Sequence, residues 1–280
     1  MGKIIAICNQ KGGTGKTTSA INIASYLALA QKKVLLVDLD PQANATSGLG
    51  INRHSVKKST YHIILEEVEL TEILQKTAIE NLLVAPSNLD LTGAEVELVS
   101  ALGREYRLKR ALQKEKENFD FIIIDSPPSL GLLTINTLCA ADSVLIPVQC
   151  EYYALEGVTQ LVNTINLVKD NLNPGLKIEG VLLTMADFRT NLTKEVIGEV
   201  RNYFKEKVYT TVIPRSIRLS EAPSYGKPIS LYDKDSIGAQ KYAELIKEMI
   251  GTSPIEFRVD NSELNQAETT INKNTEHSSV

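Results

Sequence analysis

The segment NQKGGTGKTT, residues 9–18, constrains this chain more than any other. It follows the apolar run KIIAIC (3–8) directly and opens a helix-length segment at residue 16. A glycine-rich loop between a strand and a helix can curl its backbone so that successive N–H groups face an anion. The helix behind it adds the positive end of its dipole. Gly12, Gly13 and Gly15 supply the backbone freedom, with Thr14 set among them. In that setting Lys16 reaches the β and γ phosphates of a nucleotide, the Thr17 hydroxyl ligates Mg²⁺, and Thr18 donates near the α phosphate. The common pattern G-x-x-x-x-G-K-[ST] is not met, because Gln10 stands where its first glycine belongs. The chain carries instead a second lysine, Lys11, at the mouth of the loop.

The rest of the chain fits a matching architecture. KIIAIC (3–8), KVLLVD (33–38), NLLVAP (81–86), DFIIID (120–125), SVLIPV (143–148) and IEGVLLT (178–184) read as strands. They are nearly continuous apolar runs, as expected of strands covered on both faces. Helical segments lie between them at 16–30, 88–115 with a break near Gly103, 129–140, 154–171 and 191–206. VYTTVI (208–213) reads as a further short strand and 237–250 as a last helix. This alternation predicts an α/β fold, a mostly parallel sheet with helices on both faces. From Gly251 onward the sequence turns to Asn, Ser, Thr and Glu without period. The expected organisation is one domain over 1–250 and a disordered polar tail over 251–280.

Two acidic motifs suit the glycine loop. Asp125 ends the strand FDFIIID, and the carboxyl end of a parallel strand is where ligands bind. A carboxylate there holds Mg²⁺ directly or through water; the plainer alternative is a cap on the helix after SPPS. In VDLDPQAN (37–44), Asp38 and Asp40 are two apart and share a side if the strand continues. Asp40, just before Pro41, is the better candidate for a water near the γ phosphate, although a turn Asp before Pro is the commoner use of such a residue.

Composition narrows the class. The net charge of −4 hides a segment, 186–234, with nine basic and six acidic residues. One face could therefore meet a polyanion although the whole chain is acidic. Cys8, Cys139 and Cys150 form no CxxC pair, which argues against a zinc ribbon and for buried thiols in a reducing compartment. No run approaches the ~20 apolar residues of a membrane helix, and the first residues lack a signal-peptide layout. A soluble, cytoplasmic protein is expected.

KGGTGKTT, VLLVDLDPQANAT, FDFIIIDSPPSLG, VLIPVQCEYYALEG and VIPRSIRLSEAPSYGKPI closely resemble the ParA/Soj chromosome- and plasmid-partitioning ATPases. These belong to the deviant-Walker-A group with a signature lysine. The likeness covers about residues 1–250 in the family's motif order. It implies a single α/β P-loop NTPase domain using ATP and Mg²⁺. Two subunits would face each other across ATP as a homodimer, with Lys11 reaching the partner's phosphates. Lys16 would bind phosphates, Thr17 would bind Mg²⁺, Asp40 would activate the attacking water at the metal site, and Asp125 would serve the metal. Pro214 and Ser216 fall where the family lines its adenine pocket. Many members carry Asn where this chain has Ser216, and the shorter Ser reaches less far.

The resemblance further implies that the ATP dimer binds double-stranded DNA without sequence specificity. A centromere-binding partner, ParB (Spo0J-like), would stimulate hydrolysis and release it, and the protein would be nucleoid-associated. Arg189 and Arg218 match positions used for DNA, and Arg201, Lys205, Lys207 and Lys227 could extend the patch. The rival is a MinD-like cell-division ATPase docked on membranes, which needs a basic amphipathic C-terminal helix. Residues 251–280 offer only Arg258 and Lys273 for one.

Overall fold

The computed structural model describes residues 2–251 apart from residue 153. Of the expected tail, 251–280, all but Gly251 lies outside the described residues. Seven strands form one sheet in the order β3-β4-β2-β5-β1-β6-β7. They are β1 (Lys3–Ile7), β2 (Val34–Asp38), β3 (Gln75–Lys76), β4 (Leu82–Ala85), β5 (Phe121–Asp125), β6 (Ser143–Gln149) and β7 (Lys177–Thr184). All neighbours are parallel except β3, a two-residue edge antiparallel to β4. β1 lies between β5 and β6, and its register sets Ile7 opposite Asp125. The same register logic sets Asp38 opposite Asp125 across β2 and β5. The carboxyl ends of three strands thus converge where the glycine loop leaves β1.

Helices α1 (Lys16–Leu29), α2 (Asn44–Gly48), α3 (Thr60–Leu65), α4 (Leu91–Glu97), α5 (Arg107–Glu115), α6 (Leu132–Ala140), α7 (Ala154–Asn171), α8 (Asn191–Phe204), α9 (Ile217–Glu221), α10 (Ile229–Tyr232) and α11 (Ile237–Ile250) cover the sheet. Successive side chains of a strand alternate between faces. Ile4 and Ala6 of β1 therefore enter a core with Leu133 of α6, Leu161 of α7 and Val200 of α8. Ile5 and Ile7 enter the opposite core with Ile23 and Leu27 of α1 and Leu245 of α11. Burial on both faces is why these strands show no polar alternation.

Two expectations are corrected and one is met. VYTTVI is not a strand: only Val208 makes an isolated bridge, to Val181 of β7. The Glu248 carboxylate takes the N–H groups of Thr210 and Thr211 at 2.6 and 3.0 Å, so they are not left to a ladder. The break expected near Gly103 in the 88–115 segment is present: Gly103 adopts a left-handed φ of 60° between α4 and α5. The segment at 129–140 begins as a helix only at Leu132, with Gly131 as its N-cap, so Asp125 does not cap it. The short helices α2, α3, α9 and α10 give too few turns for a periodic signal.

Candidate nucleotide site

The loop between β1 and α1 is held from below by side chains that motif reading did not single out. Asn9 accepts the Lys11 N–H at 3.0 Å and donates to the Pro147 carbonyl at 2.6 Å. Thr184, at the end of β7, donates its hydroxyl to the Thr14 carbonyl at 2.9 Å. Gly13 and Gly15 have φ of 74° and 83°, the left-handed region that side chains disfavour. Gly15 is the N-cap of α1, so the left-handed step is what starts the helix. Gly12 and Gly13 are exposed, and a Cβ on either would meet nothing within 4 Å.

The two lysines have opposite surroundings. Lys16 is 6% exposed, and its ammonium donates to the Lys11 carbonyl at 3.1 Å. Burial lowers its pKa, while Asp125, Cys8 and Asp40 pull the other way. Lys11 is exposed, its stem close to Gly157 near the start of α7. Thr17 and Thr18 follow on the first turn of α1.

Asp125 is fully buried, and neither carboxylate oxygen has a hydrogen-bond partner of standard geometry. Burial and the nearby Asp38 raise its pKa well above the ordinary carboxylate range; the nearby Thr17 hydroxyl and Lys16 only moderate this. A buried, unpartnered carboxylate is costly unless a cation or bound water meets it. The donor set of Thr17 and Asp125 therefore fits Mg²⁺, a hard cation that keeps waters and takes one or two carboxylates beside phosphate oxygens. Among the described residues no three His, Cys, Asp or Glu side chains converge to hold a metal by themselves.

Asp38 and Asp40 do not act as a pair. The Asp38 carboxylate is buried and occupied by the Thr46 N–H at 2.8 Å, the Thr46 hydroxyl at 2.7 Å and the Asp40 N–H at 3.2 Å. Burial lifts its pKa to about 6. Asp40 sits in a turn, its Oδ1 accepting the Gln42 N–H at 2.9 Å, and it lies close enough to Lys16 to influence its charge.

A cleft of about 110 Å³ opens beside Gly15 and Thr18. Pro214 and Ser216 line it with Met185, Ile213 and Tyr242. The Ser216 hydroxyl accepts the Leu219 N–H at 3.5 Å as the N-cap of α9, so it is engaged with the backbone.

The basic residues divide into groups. Arg189 lies in the turn before α8 and pairs with Asp187 at 2.6 Å. Arg218 on α9 pairs with Glu221 at 3.1 Å and Asp233 at 3.3 Å, and Lys227 follows in the same excursion. Arg201 is in the last turn of α8, with Lys205 and Lys207 just beyond it. A helix rises about 1.5 Å per residue, so α8 separates that trio from Arg189 by roughly 20 Å. The structure does not bring them into one patch with Arg189.

A parallel α/β sheet with a glycine loop at the switch from strand to helix and a buried lysine behind it defines a P-loop nucleotide-binding protein. The comparisons agree. A family model described as an AAA domain matches residues 2–178. The sporulation initiation inhibitor protein Soj of Bacillus subtilis is 61% identical over 249 residues, 89% of this chain and 98% of that protein. The chromosome partitioning protein ParA of Myxococcus xanthus is 56% identical over 250 residues, 89% of this chain and 88% of that one. A crystal structure of cobyrinic acid a,c-diamide synthase from Mycobacterium smegmatis, with bound ATP analogue and magnesium, shares the fold at a TM-score of 0.78 and 37% identity, covering 92% of this chain and 100% of that one. The chain belongs to the ParA/Soj family of chromosome-partitioning ATPases.

Proposed function

We propose that residues 1–250 work as one ATPase unit in DNA segregation, through an ATP-dependent homodimer that binds DNA without sequence preference. The observation that carries this is the contrast of two lysines in one loop: Lys16 buried against Asp125 and Asp40, Lys11 exposed at the rim. One lysine serves the subunit's own phosphates. The other faces outward, where a second subunit's phosphates can be met.

In this reading Lys11, Gly12, Gly13, Thr14, Gly15, Lys16, Thr17 and Thr18 cradle the phosphates of ATP. Pro214, with Ser216 at its side, borders the base. Thr17 and Asp125 would hold Mg²⁺, with Asp40 as a further candidate for its water shell. When bound, Mg²⁺ neutralises charge on the β and γ oxygens. Asp40 orients the attacking water from its fixed turn, and Lys16 stabilises charge on the transferring group. A lysine supplied in trans makes tight ATP binding depend on pairing, so hydrolysis separates the subunits.

Arg189 and Arg218 carry the DNA contact, with Lys227 as a further contact; Arg201, Lys205 and Lys207 form a second, separate site. Their ion pairs are exposed and therefore weak, so phosphates can compete for them. A ParB/Spo0J-like partner stimulates hydrolysis and releases the protein from the nucleoid. Among the described residues no helix is long and apolar enough to cross a membrane.

The test is sizing of the purified protein with ATP or ADP, beside its retention on unrelated DNA fragments and on anionic liposomes. Dimerisation and DNA retention that need ATP, and that Lys16→Ala abolishes, support the reading. ATP-dependent binding to liposomes but not DNA would replace it with the membrane-positioning class.

A further inference from the structure

The carboxylate of Asp38 has no role in the site as described so far, yet it is wholly buried and takes three hydrogen bonds. All three close the loop that carries Asp40. One comes from the Asp40 backbone, and the other two from Thr46, six residues further on, within α2. Thr46 in turn is tied elsewhere: its hydroxyl oxygen accepts the Ser87 N–H at 3.0 Å, just past the end of β4. A hydroxyl has one proton to give, and here it goes to Asp38 while a lone pair receives Ser87. The Thr60 hydroxyl, at the start of α3, donates to the Asp38 carbonyl at 2.9 Å.

Between Asp38 and Thr46 the backbone is strained. Ala43 is a buried alanine at φ 52° and ψ 37°, left-handed without being glycine. Such a conformation persists only when its surroundings over-determine it. The ties at Asp38 and Thr46 supply that constraint. The Asp40 carbonyl accepts the Ala43 N–H at 2.9 Å, so the strained residue closes the same turn that aims the Asp40 carboxylate.

We propose that Thr46 and Asp38 are positioning residues for hydrolysis: the Thr46 hydroxyl, bridging Asp38 and Ser87, holds the Asp40 turn in register with the phosphate loop. This rests on the assignment of Asp40 to the attacking water. Neither residue lies in the glycine loop or lines the cleft beside it. Loss of the bridge therefore lowers turnover and leaves nucleotide affinity intact.

The experiment compares Thr46→Val, Thr46→Ser and Asp40→Ala with the parent protein. It measures single-turnover ATP hydrolysis and, separately, affinity for a non-hydrolysable ATP analogue. Thr46→Val keeps the shape but loses both hydroxyl bonds, so hydrolysis should fall by about tenfold or more, as small misplacements of catalytic groups do. Analogue affinity should stay within about twofold, since phosphate binding belongs to the separate glycine loop. Thr46→Ser restores the hydroxyl and should recover most of the rate. The proposal is overturned if Thr46→Val hydrolyses at the parent rate, if Ser fails as badly as Val, or if the loss follows affinity rather than turnover. Asp40→Ala separates the two ideas: full activity in that variant removes the Asp40 assignment and the bridge with it. A dead Asp40→Ala beside a fully active Thr46→Val removes the bridge alone.

Discussion

The Lys16 ammonium donates to the carbonyl oxygen of Lys11, 3.1 Å away, so the two lysines are joined through the backbone of the loop they bracket. The Thr14 hydroxyl donates to that same carbonyl at 3.3 Å. One carbonyl thus helps keep Lys16 folded inward, while the side chain of its own residue, Lys11, stays outside. The loop carries one buried lysine on its inner face and one exposed lysine at its rim.

Gly12 is exposed at that rim. A Cβ there meets nothing within 4 Å, and its backbone is not left-handed, so Gly12→Val should fold and bind nucleotide as the parent does. The isopropyl group would project where the proposed dimer brings its two subunits together. The expected result is ATP affinity within about twofold of the parent, because the phosphate-facing backbone is unchanged, with no ATP-dependent dimer by analytical ultracentrifugation. A normal dimer would rule out face-to-face pairing across this loop.

Asp40→Ala should keep ATP binding, because Lys16 and the loop backbone supply the phosphate contacts. Turnover should drop by roughly 10² or more, the usual scale for a lost acid–base or water-orienting group. The trapped ATP form should then stay on DNA longer than the parent after dilution, measured as a dissociation rate.

Replacing both Arg189 and Arg218 with Glu should abolish ATP-dependent DNA retention while dimerisation survives. Each arginine neutralises about one phosphate per subunit, so single alanine variants should also flatten the salt dependence of binding. Weakening should be similar on unrelated sequences, since phosphate contacts carry no base information. In the glutamate variants Asp187, Glu221 and Asp233 lose their partners, which adds to the repulsion of DNA. DNA retention equal to the parent's would shift attention to Arg201, Lys205 and Lys207 at the far end of α8.

The three thiols offer a test of the core. All are buried and unbridged, and burial pushes Cys8 up to about 12 and Cys139 and Cys150 up to about 11. The folded thiols hold their protons more tightly than the unfolded chain does. Their contribution to stability is present below the ordinary thiol value of about 8.5 and is lost as pH rises above it. Iodoacetamide at pH 8 should therefore leave the native protein unlabelled and add three groups after unfolding, read by mass spectrometry. A melting temperature that rises between pH 9 and 11 would contradict the shifts.

The local sequence determined the glycine loop, the six long apolar strands and the helices α1, α7, α8 and α11, because each is set by short-range chemistry: glycines where φ must be positive, unbroken apolar runs, and helical periodicity. It also pointed to Lys16, Thr17 and Asp125 at the same end of the sheet, since the carboxyl ends of parallel strands and the helix after the loop converge there. Tertiary structure alone decided the rest. Thr210 and Thr211 look like strand residues, but Glu248, distant in sequence, takes their N–H groups. Asp38 looks like Asp40's twin, yet Thr46, itself held by the Ser87 N–H, binds the Asp38 carboxylate into the core, while Asp40 stays in its turn. The arginines and lysines near α8 are close in sequence and apart in space, because a helix carries its two ends to opposite rims of the sheet. Such outcomes depend on which partner a polar group finds across the fold, and local sequence carries no record of that partner.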